Sequence, residues 1–202
     1  MGGRPSKRDM NLMLDELNKK APDGPLVILA RLMGAEPGRT AEYRQLDARL
    51  RDAVTEQDLD KVRKMLKTDA DVNNLYKDKT VLMMACGLGG HVDVVSVLLA
   101  APDINVNRVN SRGKTALVMA VLYHHVAIIN VLLANGADIN VADKNGNTPL
   151  MLASGDNNIA VVNELLKNGA VVDKANNRGH TALMIASGEN RVAFVNALLD
   201  KG

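Results

Sequence analysis

Tryptophan is absent from this chain, phenylalanine and cysteine occur once each, and aromatic residues make up 2% of 202 positions. So few large rings exclude a core built on aromatic packing and suit thin layers filled by Leu, Val and Ala. With Cys86 the only thiol, neither an intrachain disulfide nor a cysteine-based metal site can form. No apolar run is long enough to span a bilayer and no signal peptide is evident. Those absences predict a cytoplasmic protein, either bacterial or delivered into a host cell. An excess of one charge is missing too. The formal net charge is +2, and residues 1–39 hold seven basic and five acidic side chains, which leaves the remainder balanced. Such a balance argues against a dedicated nucleic-acid binder.

Catalytic constellations are equally scarce. The four histidines, His91, His124, His125 and His180, are scattered, and the adjacent His124 and His125 are expected on different sides of a helix, a poor metal pair. Cys86 follows Ala85 at a helical core position, where a buried inert thiol is expected. Gly87, Gly89 and Gly90 belong to a helix–helix turn rather than to a phosphate-binding loop. Nothing here predicts an enzyme, a metal or a cofactor.

What the chain has is a period. Thr80-Val81-Leu82-Met83-Met84-Ala85 recurs as Thr115-Ala116-Leu117-Val118-Met119-Ala120, as Thr148-Pro149-Leu150-Met151-Leu152-Ala153 and as Thr181-Ala182-Leu183-Met184-Ile185-Ala186. Leu pairs follow at Leu98-Leu99, Leu132-Leu133, Leu165-Leu166 and Leu198-Leu199, and the later threonines are 33 residues apart. A repeat of that length means a stacked array rather than one closed globule. Each element has a physical reason. The threonine hydroxyl can cap free amides at a helix start. Pro149 suits a first helical turn, where its missing N–H would be unpaired in any case. Gly136 and Gly169 end second helices that need a left-handed residue, and Asn145-Gly146 favours a tight turn.

These motifs, with Gly113-Lys114-Thr115-Ala116-Leu117 and Asn135-Gly136-Ala137-Asp138-Ile139-Asn140 beside them, resemble ankyrin repeats over about Thr40 to Gly202. The resemblance implies an all-α solenoid of about five helix-turn-helix repeats with β-hairpin fingers, at about 40–74, 75–109, 110–142, 143–175 and 176–202. It also implies a non-enzymatic scaffold or adaptor whose finger tips and inner helix ends touch another protein. One departure is systematic. Where the family usually has His in its Thr-Pro-Leu-His signature, this chain has Met83, Val118, Met151 and Met184. Core filler is the expectation there, an adaptable binding stripe the alternative.

The period breaks in three places. Repeat one keeps Leu50, Ala53, Val62, Met65 and Leu66 and sets against them the polar Arg49, Arg51, Asp52, Glu56, Asp58, Arg63 and Lys64, as a solvent-facing cap should. Repeat two carries an extra residue at Gly87–His91, and the stretch Asn105–Gly113 is two residues longer than its successors, so a bulge is expected between repeats two and three. Repeat five stays apolar through Leu183, Met184, Val192, Phe194 and Leu199. Its outer face is therefore expected either to continue into more repeats or to dock, self-association included.

The finger windows 73–80, 105–114, 140–147 and 173–180 carry eight basic residues against three acidic ones. Tyr76, Lys77, Lys79, Leu88, Arg112, Lys114, Leu122, Tyr123, Lys144, Arg178 and His180 are the candidate partner-binding residues, and they favour an acidic protein surface. Asp156 and Glu189 should shift the positive side toward repeats two and three. Residues 1–39 read as a helical hairpin. Met1-Gly2-Gly3-Arg4-Pro5-Ser6 fits a myristoylation pattern at Gly2, which would suit a host-directed effector tethered at a membrane. Gly3-Arg4-Pro5 with Lys7-Arg8 also looks like a minor-groove hook, and the segment is similar to the start of some phage DNA-packaging proteins. The alternative role is thus a nucleic-acid-associated adaptor of a phage or mobile element.

Overall fold

A computed structural model describes residues 41–156 and 158–201. The chain divides into two units, Met1–Leu46 and Asp47–Gly202, and the repeats occupy the second. Gly2, the helical hairpin expected over 1–39 and the boundary expected at residue 40 all lie outside the described residues.

Ten helices run through the described residues: α1 (Ala41–Glu56), α2 (Leu59–Met65), α3 (Val81–Gly87), α4 (Val92–Leu99), α5 (Ala116–Leu122), α6 (Val126–Ala134), α7 (Pro149–Ser154), α8 (Ile159–Lys167), α9 (Ala182–Gly188) and α10 (Val192–Leu199). Helices α3, α5, α7 and α9 pack in succession as an inner layer, and α2, α4, α6, α8 and α10 as an outer one. All but α1 are shorter than a stable isolated helix, so their stability must come from packing. That packing is continuous. Leu50, Val54 and Val62 of repeat one are fully buried, and Leu82, Leu98, Leu117, Ile128, Leu132, Leu150 and Leu165 carry the same core through repeat four. The fold is an all-α solenoid.

The period acts through local chemistry. Thr80, Thr115, Thr148 and Thr181 each accept the amide of the residue three further on, at 3.1, 3.3, 3.3 and 3.3 Å. Such a cap contributes about 1 kcal/mol. Pro149 opens α7 at its first turn, while Gly136 and Gly169 follow α6 and α8 at φ +83. Met83 and Val118 are fully buried and Met151 is 2% exposed, so these three fill the core, whereas Met184 stands 56% exposed.

A second cohesion runs through asparagine. Asn73 accepts the Asn105 amide and donates to the Asp103 carbonyl; Asn107 accepts the Asp138 amide and donates to the Gly136 carbonyl; Asn140 accepts the Val171 amide. Asp71, Asn105 and Asp138 brace these rungs by accepting the amide two residues on. In repeat one Asp47 takes the acceptor's place, accepting the Asp71 amide at 2.8 Å. The rungs correct the sequence register. Asn107 rather than Asn105 corresponds to Asn140, so the loop from Leu99 to Asn107 is one residue longer than that from Leu133 to Asn140, in addition to the extra residue at Gly87–His91. The finger itself is as long as its successor.

Candidate functional site

The fingers are tight turns rather than extended strands, because each is pinned by a side chain near its base. Asn110, Asp143 and Asn176 each accept two amides of their own finger, those of Arg112 and Lys114, of Asn145 and Asn147, and of Arg178 and His180. The central residues of these turns are Ser111-Arg112, Lys144-Asn145 and Asn177-Arg178, each followed by a glycine at positive φ. Asn145-Gly146 thus straddles the end of its turn instead of forming its centre.

The first finger differs. Tyr76 and Lys79 exchange backbone hydrogen bonds of 2.9 and 3.0 Å across Lys77-Asp78, the one isolated β-bridge among the described residues. Lys77 and Asp78 sit at φ 45 and 65, a geometry that two-residue hairpins usually fill with Asn-Gly. Two cations lie over the Tyr76 ring, the Arg51 guanidinium 3.9 Å and the Lys77 ammonium 5.4 Å from its centroid. Both oxygens of Asp78 are occupied by Ser111, whose hydroxyl and amide each donate at 2.6 Å. Those two hydrogen bonds hold the Asp78 carboxyl below its ordinary range, and the charges of Arg112 and Lys144 act the same way.

Lateral hydrogen bonds then join the fingers into a row. The Lys144 amide donates to the Arg112 carbonyl at 3.0 Å, the Asn177 amide to the Asn145 carbonyl at 3.0 Å, and the Asn176 amide group to the Asn147 side chain at 2.7 Å. Lys77, Arg112, Lys144 and Arg178 stand exposed at the tips, while Lys79 and Lys114 are half-buried at the finger bases and His180 is exposed at the base of the last. Lys174 is drawn to the Asn140 carbonyl at 3.1 Å.

Leu88, Leu122 and Tyr123 form a second group at the far ends of α3 and α5. The seven residues of α5 place them about 10 Å from the finger bases. Tyr123 is 47% exposed, covers Gly87, where an added Cβ would come within 3.1 Å of the ring, and stacks on His125 at 6.3 Å. His124 and His125 occupy the turn before α6 rather than a helix. His124 faces Asp156 at 3.3 Å, and burial pushes the His125 imidazole pKa down, the nearby His124 adding to the shift. Cys86 is fully buried, and burial pushes its thiol up to about 12, so it holds no reactive thiolate.

Charge pairing separates the fingers from the rest. Lys61 bridges Glu56 and Asp58 at 2.9 and 3.2 Å, Arg63 pairs with Asp60, Lys167 with Glu164 and Arg191 with Glu189. Among the described residues, no side chain of Lys77, Lys79, Arg112, Lys114, Lys144 or Arg178 is in an ion pair. Arg51 was invisible as a site residue in the sequence, because its contact with Tyr76 spans 25 positions and follows no period.

No helix of the described residues is long and apolar enough to cross a membrane. A family model described as ankyrin repeats (3 copies) matches residues 50–143 and 138–202, and repeats of this family are in general protein–protein interaction modules. No curated protein matches the chain. The matched span, the capped helix pairs and the laterally bonded fingers agree, and this chain belongs to the ankyrin-repeat family.

Proposed function

We propose that the chain is a non-enzymatic recognition module that holds an acidic partner protein against its finger row. The observation that carries this reading is the set of unpaired finger cations in a molecule whose helix-borne cations often have carboxylate partners. An exposed ion pair contributes little by itself. A row of cations on a braced backbone nevertheless speeds encounter and sets orientation. Exposed Tyr76 and Tyr123 supply the contact area that charge alone does not. Affinity capture from a cell extract, compared between the parent chain and Lys79→Glu/Arg112→Glu, tests it. Acidic proteins held by the parent should be absent from the variant while circular dichroism stays unchanged. Identical captured sets would remove the finger reading.

The exposed Met184, Val192 and Leu199 favour a second contact, self-association through repeat five. Sedimentation at increasing concentration would show a dimer if it forms, and a constant monomer mass would dismiss it.

A further inference from the structure

The finger tips form a single file whose order the hydrogen bonds determine: Lys77, Asp78, Ser111, Arg112, Lys144, Asn145, Asn177, Arg178. Ser111 is tied to Asp78, Lys144 to Arg112 and Asn177 to Asn145. Consecutive residues lie 3.8 Å apart, hydrogen-bonded neighbouring backbones about 4.8 Å apart and the side-chain link from Asp78 to Ser111 spans a little more, so the file is about 30 Å long along its path. Its charges are not evenly spread. Arg112 and Lys144 are neighbours at the centre, and Lys77 and Arg178 stand at the two ends, each about 12 Å from the central pair. Between Lys77 and Arg112 lie the carboxylate of Asp78 and the Ser111 that binds it. Between Lys144 and Arg178 lie two uncharged asparagines.

We infer that the file binds an extended acidic peptide segment of the partner, with carboxylates at its two ends and a pair at its centre. This rests on the recognition reading above and specifies the form of the partner. An extended chain advances about 3.3 Å per residue, so a gap of about 12 Å corresponds to about four residues. Side chains on one face of an extended chain are two residues apart or a multiple of two, so the matching ligand is about eleven residues long, with acids at positions 1, 5, 7 and 11. A neutral stretch at positions 2 to 4 then faces Asp78, where a further carboxylate would be repelled. A nucleic acid fits less well, because each duplex strand carries a charge about every 3.4 Å and most phosphates would meet Ser111, Asn145, Asn177 or the acid itself. Single strands are usually held by stacking on successive rings, whereas the rings beside this file, Tyr76 with Arg51 and Lys77 over it and His180, stand at its opposite ends. Two non-glycine residues held at positive φ are costly to keep. Asn-Gly in their place would relieve that strain but remove the terminal cation and the link to Ser111.

The test is fluorescence anisotropy at low salt with the full chain and three labelled probes. One is an eleven-residue peptide with Asp at positions 1, 5, 7 and 11 and Gly or Ser elsewhere. The second has the same composition with its four Asp contiguous, and the third is a ten-nucleotide thymidine strand. The spaced peptide should bind about fivefold more tightly than the contiguous one, since the latter reaches only the central cations. Lys77→Ala/Arg178→Ala should erase that difference without weakening the contiguous peptide, whereas Arg112→Ala/Lys144→Ala should weaken both. Equal affinity of the two peptides, or a thymidine strand bound as tightly as the spaced peptide, overturns the inference. If neither peptide binds while finger-dependent capture of acidic proteins persists, the extended-segment inference falls and the broader recognition reading stands.

Discussion

Repeats four and five are written in nearly the same letters, yet their side chains meet different surroundings. Met151 and Met184 occupy one position of the pattern, 33 residues apart, and are 2% and 56% exposed. Thr148 is buried and Thr181 half-buried, although both cap their helices with the same bond. Leu166 is 7% exposed while Leu199, its counterpart, is 59% exposed. The polar rungs end for a different reason, a change of letter between repeats three and four. Asp138 and Asn140 brace and bond across repeats, but their counterparts are Val171 and Asp173, and among the described residues no rung of that kind extends beyond Asn140. A position in this array therefore owes its energetic weight to the repeat stacked on it. Its letter alone does not determine that weight, as nearest-neighbour cohesion in a solenoid requires.

Paired substitutions can break that comparison. The largest difference is expected between Met151→Ala and Met184→Ala. The first leaves a cavity between buried layers and should cost about 2–5 kcal/mol. The second removes a mostly solvated side chain and should stay within about 0.5 kcal/mol. Urea unfolding of both variants measures this, and equal costs would mean that burial by the neighbouring repeat does not govern the position.

A smaller contrast should separate Gly146→Ala from Gly179→Ala. Both glycines sit at nearly the same left-handed φ, +78 and +77. An added Cβ at Gly146 would come within 2.8 Å of the Asn177 backbone amide, whereas at Gly179 nothing lies within 4 Å. The left-handed strain of about 1–2 kcal/mol is common to both, so any excess at Gly146 reports the contact between fingers. Matched thermal midpoints for the two variants would show that adjacent fingers do not support each other.

The smallest effect extends the comparison to the other end of the array, where a carboxylate instead of a backbone group links two fingers. The Asp78 carboxyl is held below its ordinary value of 3.8 by the Ser111 bonds. A depressed carboxylate contributes stability above its unfolded value, and that contribution fades as pH falls through the folded one. The stability gap between the parent chain and Asp78→Asn should therefore be constant from neutral pH down to about 5 and close below about pH 4. A gap that persists undiminished at pH 2 would place the effect of Asp78 in its turn geometry rather than in its charge.

Much of the framework was legible because it is written locally. A threonine caps the amide three residues away, a proline opens a helix at its first turn, and leucines three and four apart share a face; none of these needs a distant partner. The candidate site was legible only as a list. Sequence windows singled out Lys77, Arg112, Lys144 and Arg178 as basic, but could not show that Arg112 and Lys144 touch through their backbones while the other two stand apart. They grouped Leu88, Leu122 and Tyr123 with the finger residues as one partner-binding set, and could not show that a helix length lies between the two groups. They also aligned Asn105 with Asn140, because the motif around both looks alike, and the interrepeat bonds made by Asn107 revealed the other register.

Residue order by itself determined the helix pairs, their caps, the 33-residue stride and hence the family, since each depends on neighbours within one repeat. Tertiary structure alone decided which copies of a repeated residue are buried, which asparagines form rungs and how the cations are spaced along the finger row. Those outcomes depend on what the adjacent repeat presents across the stack, some thirty residues away, and a period that treats every copy alike carries no record of it.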